Sequence, residues 1–200
     1  MIAAGMGLVL SLLPGFGILP GSLPAVSIGP DTSCIVMDMP TEGRLSPLDS
    51  LTFAVGGSPV KICYGRPSAR GRTMIGGPDV PFGKLWRTGA NEPTMIHTTA
   101  PIGVAGIEVQ RGSYSLYTVP GEDEWIVIVN RSITQWGHIA QYTYKVKAQE
   151  VGKASVPRER LDDHVETMTF RAEPAADGAA TLVLEWELTR VRIPITPAGS

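Results

Sequence analysis

The sequence predicts an all-β domain, a β-sandwich or jelly roll of about eight or more antiparallel strands, preceded by an apolar N-terminal segment. Two observations predict this class. From residue 60 onward, short segments of alternating or β-branched residues recur at roughly ten-residue spacing, separated by turns rich in glycine and proline. Helical periodicity is nearly absent from the same 200-residue chain, which holds 23 glycines and 17 prolines.

The clearest predicted hairpin joins strands at Gly112–Val119 and Glu124–Asn130, because both runs are rich in β-formers and a Pro-Gly turn separates them. Further strands are predicted at Val60–Tyr64, Thr94–Thr99, Ile102–Val109, Tyr142–Val151, Val165–Ala172, Ala179–Trp186 and Glu187–Ile195. The only helical turn is predicted at Arg158–His164. We therefore place one β domain at residues 60–196, followed by a short C-terminal tail at residues 197–200.

The chain before this domain divides into two parts. Residues 1–30 carry no charged side chain, and the run from Met6 to Leu13 has the size of a signal-peptide core, although the first basic residue is only Arg44. We predict a cleaved export signal or a retained membrane anchor, and a segment buried in a soluble core is the third alternative. In the anchored case, the side chains that dock on the membrane or a partner are Met6, Leu8, Val9, Leu10, Leu12, Leu13 and Phe16. The first two alternatives place the domain on the periplasmic side of a membrane or outside the cell.

Residues 31–59 are rich in proline, glycine and serine, and they predict a linker with one strand at Ser50–Val55. This segment contains Cys34, one of the two cysteines of the chain; the other is Cys63. A disulfide between them requires an exported domain. The sequence leaves both states open and favours the free thiols, because Cys34 falls outside the predicted core.

The composition excludes several classes of partner and site. The net charge is −2 and only 18% of the residues are charged, so nothing in the overall charge indicates nucleic acid. Two cysteines are too few for a zinc site built from cysteine alone, and the three histidines show no metal-ligand spacing. No dinucleotide, phosphate-loop or calcium motif is present. We therefore expect no metal and no cofactor.

Side chains that make directional polar contacts are concentrated between Tyr64 and Thr94. The candidate ligand-binding residues there are Arg66, Arg70, Arg72, Trp86, Arg87, Asn91 and Glu92. Guanidinium groups bind carboxylate or phosphate in a bidentate fork, so these arginines would form an anion pocket. We favour the alternative, in which these arginines pair with Glu92, Glu185 and Glu187 and hold loops against the sandwich.

The sequence gives little support to an enzymatic function. A serine hydrolase would need a nucleophile elbow, and none is present. Glu185 and Glu187 lie two apart on a predicted strand and should point to the same face, as a glycosidase pair would, but two acids on a solvated face are ordinary. The four tryptophans are expected to pack in the core and loops rather than to form a sugar platform. No catalytic residue is assigned.

Several segments resemble DUF2911, a family of bacterial exported proteins of unknown function. The segments are Tyr64–Ser68, Trp86–Glu92, Gly112–Pro120, Gln135–Gly137 and Leu184–Glu187, in the family's order. The resemblance covers about residues 60–195 and implies an exported domain, but it transfers no catalytic residue because the family has no established reaction. The chain departs from the family's pattern at His138–Tyr142, where relatives carry a more acidic turn, and at Pro93.

The favoured function is a non-catalytic interaction domain, exported or membrane-tethered. It would act as an accessory or structural subunit of a membrane or cell-envelope complex, respiratory or photosynthetic, with protein subunits of that complex as partners. The uncharged N-terminal segment supports this hypothesis, because such a segment can dock within a membrane assembly. The alternative is a periplasmic ligand-binding protein, or a hydrolase, that uses the Arg/Trp/Asn/Glu cluster.

Overall fold

A computed structural model describes Met1, residues 33–37 and residues 39–199 of the chain. The seven side chains predicted to dock on a membrane or partner lie outside the described residues. Within the described ranges, no helix has the length and apolar character needed to cross a membrane.

Nine antiparallel strands account for most of the described chain, which confirms the predicted all-β class. They are β1 (Leu48–Val55), β2 (Ser58–Gly65), β3 (Ala90–Thr98), β4 (Ile102–Val104), β5 (Ile107–Val109), β6 (Gly112–Val119), β7 (Glu124–Asn130), β8 (Glu150–Pro174) and β9 (Ala180–Pro197). Short helical elements are 3-10 turns at Ile139–Gln141 and Ala176–Gly178 and the single-turn helix α1 at Tyr144–Lys147. The strand order is β1-β2-β3-β6-β7-β8-β9-β4-β5.

The long strand β8 divides this sheet into two halves. Its first part, residues 150–157, pairs with β7, and its second part, from Arg158 onward, pairs with β9. The two halves face one another across a single core that contains buried side chains from both, such as Leu116 and Trp125 from the first and Leu184 and Ile193 from the second. Burial of these apolar surfaces supplies the main driving force of the fold.

The predicted hairpin at Gly112–Val119 and Glu124–Asn130 is confirmed with both bounds, and its strands pair from Ser115↔Asn130 to Val119↔Ile126. The strand predicted within the linker begins two residues earlier, at Leu48, and pairs with β2 along its whole length. The C-terminal part of the predicted linker thus belongs to the sheet.

The single strand predicted at Ile102–Val109 is instead the hairpin of β4 and β5. Two further local predictions were wrong. The strand predicted at Tyr142–Val151 is replaced by α1, because Thr143 Oγ1 accepts the amide of Val146 at 3.4 Å and caps a helical turn. The helical turn predicted at Arg158–His164 lies within β8, because residues 158–160 pair with residues 189–191 of β9. Tertiary pairing overrides the weak local preference in the second case.

Cys34 and Cys63 form a disulfide, with their Cα atoms 5.6 Å apart, so the favoured free state was wrong. The described part of the predicted linker lies against the domain rather than apart from it. The amide of Met37 donates to Glu92 Oε1 at 3.0 Å, and Arg44 also binds that carboxylate. The chain ahead of β1 is therefore attached at Cys34, Met37 and Arg44.

Candidate functional site

The segment from Trp86 to Glu92 has an unusual backbone. Thr88 and Asn91 have positive φ angles of 58° and 63°. A β-branched residue in this region is strained, at a cost of about 1–3 kcal/mol. The fold holds Thr88 in place, since its carbonyl accepts the hydroxyl of Thr94 at 2.7 Å and its own hydroxyl donates to Thr118 at 3.1 Å. Strain of this kind is concentrated at binding sites, so this segment marks a candidate site.

A cleft of about 610 Å³ lies against this segment. Its apolar wall includes Pro67, Met74, Leu85, Trp86 and Trp186, and its polar lining includes Arg72, Lys84, Arg87, Tyr117 and His138. The volume is in the range of small-molecule sites.

The indole rings of Trp86 and Trp186 stack at 5.9 Å between centroids, and Trp125 packs edge-on against Trp86. Trp186 is fully buried and Trp86 is 8% exposed, so they form the floor of the cleft rather than an open platform. Their N–H groups donate to the carbonyls of Gly89 and Glu166. The prediction that these tryptophans serve packing is confirmed.

Arg87 is a half-buried charged residue in the lining of the cleft. Its half-buried side chain donates from Nε to the Gly89 carbonyl at 3.3 Å, and no carboxylate of the described residues forms an ion pair with its guanidinium. Burial lowers the pKa of Arg87, and the nearby Tyr117 and Glu92 offset this only in part. A desolvated cation without a counter-ion is costly unless an anion reaches it.

Tyr117 adds a second hydrogen-bond donor to the cleft. Its hydroxyl oxygen accepts the amide of Gln135 at 2.9 Å, and within the described residues its own hydrogen has no acceptor. Burial raises the pKa of Tyr117, so the hydroxyl stays protonated at neutral pH. The guanidinium and this hydroxyl together can bind an oxyanion.

The Gly137–Ile139 segment forms one side of this site. A Cβ atom on Gly137 would lie 2.2 Å from the Asn91 carbonyl oxygen and 2.4 Å from Arg87 Cδ, so only glycine permits this approach. Sequence reasoning did not select Tyr117, Gln135 or Gly137 as site residues. The one available signal was their place in the segments that resemble the family.

The predicted ligand-binding residues separate into two groups. Trp86, Arg87 and Arg72 line the cleft, although Arg72 is already paired with Asp79 at 3.0 Å. The structure places the other four elsewhere: Arg66 donates to the Met168 carbonyl, Arg70 to the Leu45 carbonyl, Asn91 to the Ser46 carbonyl, and Glu92 accepts from Arg44. The cleft therefore contains only part of the predicted cluster.

Glu92 is buried in an ion pair that the sequence did not reveal. Its two carboxylate oxygens accept from Arg44 at 2.8 and 2.9 Å, and the two side chains are only 4% and 1% exposed. Desolvation raises the pKa of Glu92, but the hydrogen bonds from Arg44 and Met37 outweigh it and the net pKa is lowered. Arg44 belongs to the predicted linker, which explains why the pairing was not anticipated.

The predicted pairing of the arginine cluster with Glu185 and Glu187 was wrong within the described residues. Glu187 accepts the amides of Met74 and Ile75 at 2.9 and 2.7 Å and so fixes one wall of the cleft. It has a φ of 51° and lies beside a register shift between β8 and β9, which separates it from Glu185. The prediction that both carboxylates share one solvated face was therefore also wrong.

Glu185 belongs instead to a closed ring of ion pairs on β8 and β9. Its members, in order, are Arg171, Glu173, Arg192, Glu159, Arg190 and Glu185, and each contacts the next and the last contacts the first. We call this set the ion-pair ring. Its side chains are 16–40% exposed, and its formal charges cancel.

Residues 46–195 match the model of a family described as a protein of unknown function, DUF2911. The match covers most of the chain, and the chain belongs to this family. It begins near β1, inside the stretch that composition alone predicts to be a linker. No curated protein and no solved structure matches the chain.

Proposed function

We propose that this member of the DUF2911 family is an exported ligand-binding domain whose cleft takes an organic monocarboxylate. The observation that carries the proposal is the half-buried guanidinium of Arg87, which lines the cleft beside the Tyr117 hydroxyl and has no carboxylate partner among the described residues. A ligand carboxylate supplies the missing counter-charge and accepts from both donors.

The charge and shape of the cleft support this class of ligand. Arg72 is neutralised by Asp79 and Lys84 is exposed to solvent, so the half-buried guanidinium of Arg87 is the one desolvated, unpaired positive charge among the described lining residues. A single charge matches a monoanion better than a phosphate dianion. The volume exceeds what a carboxylate group fills, and Met74, Leu85 and Trp86 offer an apolar wall to the rest of the molecule.

The disulfide supports the exported location. Structural disulfides persist in oxidising compartments and are rare in the cytosol. The Cys34–Cys63 bond fits a domain on the periplasmic side of a membrane or outside the cell. In this proposal, residues 1–30 act as the export signal or anchor.

Isothermal titration with hexanoate, phenylacetate, hexylamine and inorganic phosphate tests the proposal. We expect the two carboxylates to bind and hexylamine, which has the same chain length as hexanoate, not to bind. Arg87→Met should weaken carboxylate binding about 100-fold, because a charged hydrogen-bonded partner is lost. Arg190→Met, in the ion-pair ring, is the matched control and should bind as the wild type does. Binding of phosphate in preference to both carboxylates, or equal binding by Arg87→Met, would overturn the proposal.

The second candidate is the interaction domain of a membrane or cell-envelope complex. A specific observation favours it: Ile139, which lines the cleft, is 54% exposed. Two further large apolar side chains, Leu45 at 75% and Tyr144 at 86%, are exposed close in sequence to lining residues. Exposed apolar side chains of this size are frequent at docking surfaces.

The intact mass of the protein purified from its native membranes in mild detergent, with co-purifying chains identified, tests this second candidate. A full-length chain in fixed ratio with membrane subunits would support it. A soluble, isolated chain that begins near Ser27 would exclude it and leave the ligand-binding domain alone.

A further inference from the structure

Two arginines lie near the buried carboxylate of Glu92, which pairs with only one of them. Arg87 and Glu92 lie on the same strained segment. A Cβ atom on Gly137 would lie 2.4 Å from Arg87 Cδ and 3.1 Å from the backbone carbonyl carbon of Glu92, so the Arg87 side chain passes close to Glu92. The charge of Glu92 accordingly acts to raise the pKa of Arg87. They nevertheless form no ion pair. Glu92 is occupied on both oxygens by Arg44 and receives a third hydrogen bond from the Met37 amide.

We propose that Arg44 is a positioning residue for the cleft, which holds Glu92 in a buried ion pair and thereby keeps Arg87 open to a ligand carboxylate. The inference rests on the proposed function and explains how an arginine close to a buried glutamate remains unpaired. Arg44 itself does not line the cleft.

The physical reason is the high cost of a buried, unpaired carboxylate. Without the Arg44 guanidinium, Glu92 retains only hydrogen bonds from backbone amides, those of Met37 and of Glu92 itself. Arg87, a cation on the same segment, lacks a carboxylate partner among the described residues. A carboxylate on the same segment acts at a high effective concentration, so it competes strongly with a dissolved ligand. Glu92 would then turn toward Arg87 and block the site.

The segment ahead of β1 holds Arg44 in position. The Arg44 guanidinium also donates to the carbonyls of Pro40 at 2.8 Å and Met39 at 2.5 Å. The disulfide at Cys34 attaches the same segment to β2. The described part of the predicted linker is thus a component of the binding site, although it contributes no charged group to the cleft.

A double-variant rescue tests this inference with hexanoate as the probe. We expect Arg44→Met to weaken hexanoate binding about tenfold or more, a typical coupling between two sites. Adding Glu92→Gln removes the internal competitor, so Arg44→Met/Glu92→Gln should bind within about threefold of the wild type. Arg44→Lys keeps the charge but loses the bidentate fork, and it should fall between the wild type and Arg44→Met.

Each variant is titrated at a temperature where its near-ultraviolet circular dichroism matches that of the wild type. If Arg44→Met does not fold there, Arg44→Lys and its combination with Glu92→Gln make the same comparison. Wild-type affinity in the folded single variant, or a double variant as weak as the single one, would overturn the inference. Failure of the wild type itself to bind hexanoate would instead overturn the proposed function, and these outcomes are distinct.

Discussion

The ion-pair ring and the cleft use arginine in opposite ways. In the ring, each of three arginines contacts two glutamates, and the formal charges cancel. In the cleft, Arg87 is half-buried without a carboxylate partner in the described part of the chain. Arginine-rich sequence is therefore not evidence of a binding site by itself. Under the proposed function, the missing counter-charge distinguishes Arg87 from the structural arginines of the ring.

The two regions also differ in backbone. The ring lies on β8 and β9, where Glu159 and Arg190 are direct cross-strand partners, so sheet register sets its pairs. Arg87 precedes a residue with a strained left-handed backbone, in a segment held by side-chain hydrogen bonds. Regular strand pairing places opposite charges next to one another, whereas an irregular segment can hold a charged side chain that has no partner.

The substitution with the largest expected effect on stability tests whether a buried ion pair stabilises the fold more than the exposed pairs of the ring do. Arg44→Met leaves Glu92 buried and should lower the free energy of unfolding by about 3–5 kcal/mol. Because the pKa of Glu92 is depressed in the folded state, its stabilising effect is present above about pH 4.5 and is lost as pH falls through the folded pKa.

Urea denaturation at several pH values measures both effects. The acid-dependent loss of stability that Glu92 causes should be smaller in Arg44→Met than in the wild type. If Arg44→Met and Arg190→Met lower the free energy of unfolding by the same amount, burial does not distinguish the Arg44–Glu92 pair from the ion-pair ring.

A second prediction concerns the close approach at Gly137. Gly137→Ala forces a Cβ atom into the Asn91 carbonyl and the Arg87 side chain, and it should lower the free energy of unfolding by about 1–3 kcal/mol and weaken hexanoate binding. Gly106→Ala is the control, because its Cβ would meet no atom within 4 Å and only the left-handed backbone, φ 79°, is penalised. Equal affinity for hexanoate in the two variants would show that Gly137 does not shape the cleft.

A third prediction compares the directions in which two arginine substitutions change the free energy of unfolding. Arg87→Met removes a desolvated charge that lacks a counter-ion, so stability should stay unchanged or rise by up to about 1 kcal/mol. Arg190→Met breaks two pairs of the ring and should lower stability by up to about 1 kcal/mol. Thermal unfolding without ligand measures both. A clear loss in Arg87→Met would show that this arginine is structural.

The smallest expected effect is the salt dependence of the ring. Desolvation raises the pKa of Glu185, but hydrogen bonds from Arg171 and Arg190 outweigh it, so the pKa is lowered and the stabilisation is lost as pH falls below about 4.5.

In 1 M NaCl the screening length is about 3 Å, which weakens exposed pairs. Glu185→Gln should lower stability by less than about 1 kcal/mol at pH 7, and by less still in 1 M NaCl. The buried pair of Arg44 and Glu92 should respond little to salt, and a strong response there would contradict its burial.

The sequence predicted the parts of the fold that depend on local pattern. The hairpin of β6 and β7 follows from two β-rich runs around a Pro-Gly turn, and its bounds were correct. Arg87 was selected because guanidinium chemistry is evident from residue type. The partners of the glutamates were not predictable. Glu185 and Glu187 are separated by register shifts between β8 and β9, and Glu92 pairs with Arg44 from the predicted linker. Tyr117 was missed because an alternating pattern does not show which strand face borders a cleft.

The position of β9 between β8 and β4 sets the order in which the domain can assemble. The hairpin of β4 and β5 leaves the ribosome early, but its partner strand begins only at Ala180 and pairs back to Ile102 through Pro197. Until β9 is synthesised, β4 and the second part of β8 keep unpaired edges, which are sites of aggregation. The first half of the sandwich can form before β9 is available, whereas the second half cannot. Loss of β9 would therefore remove the pairing partner of both β8 and β4 and, with it, the second half of the sandwich.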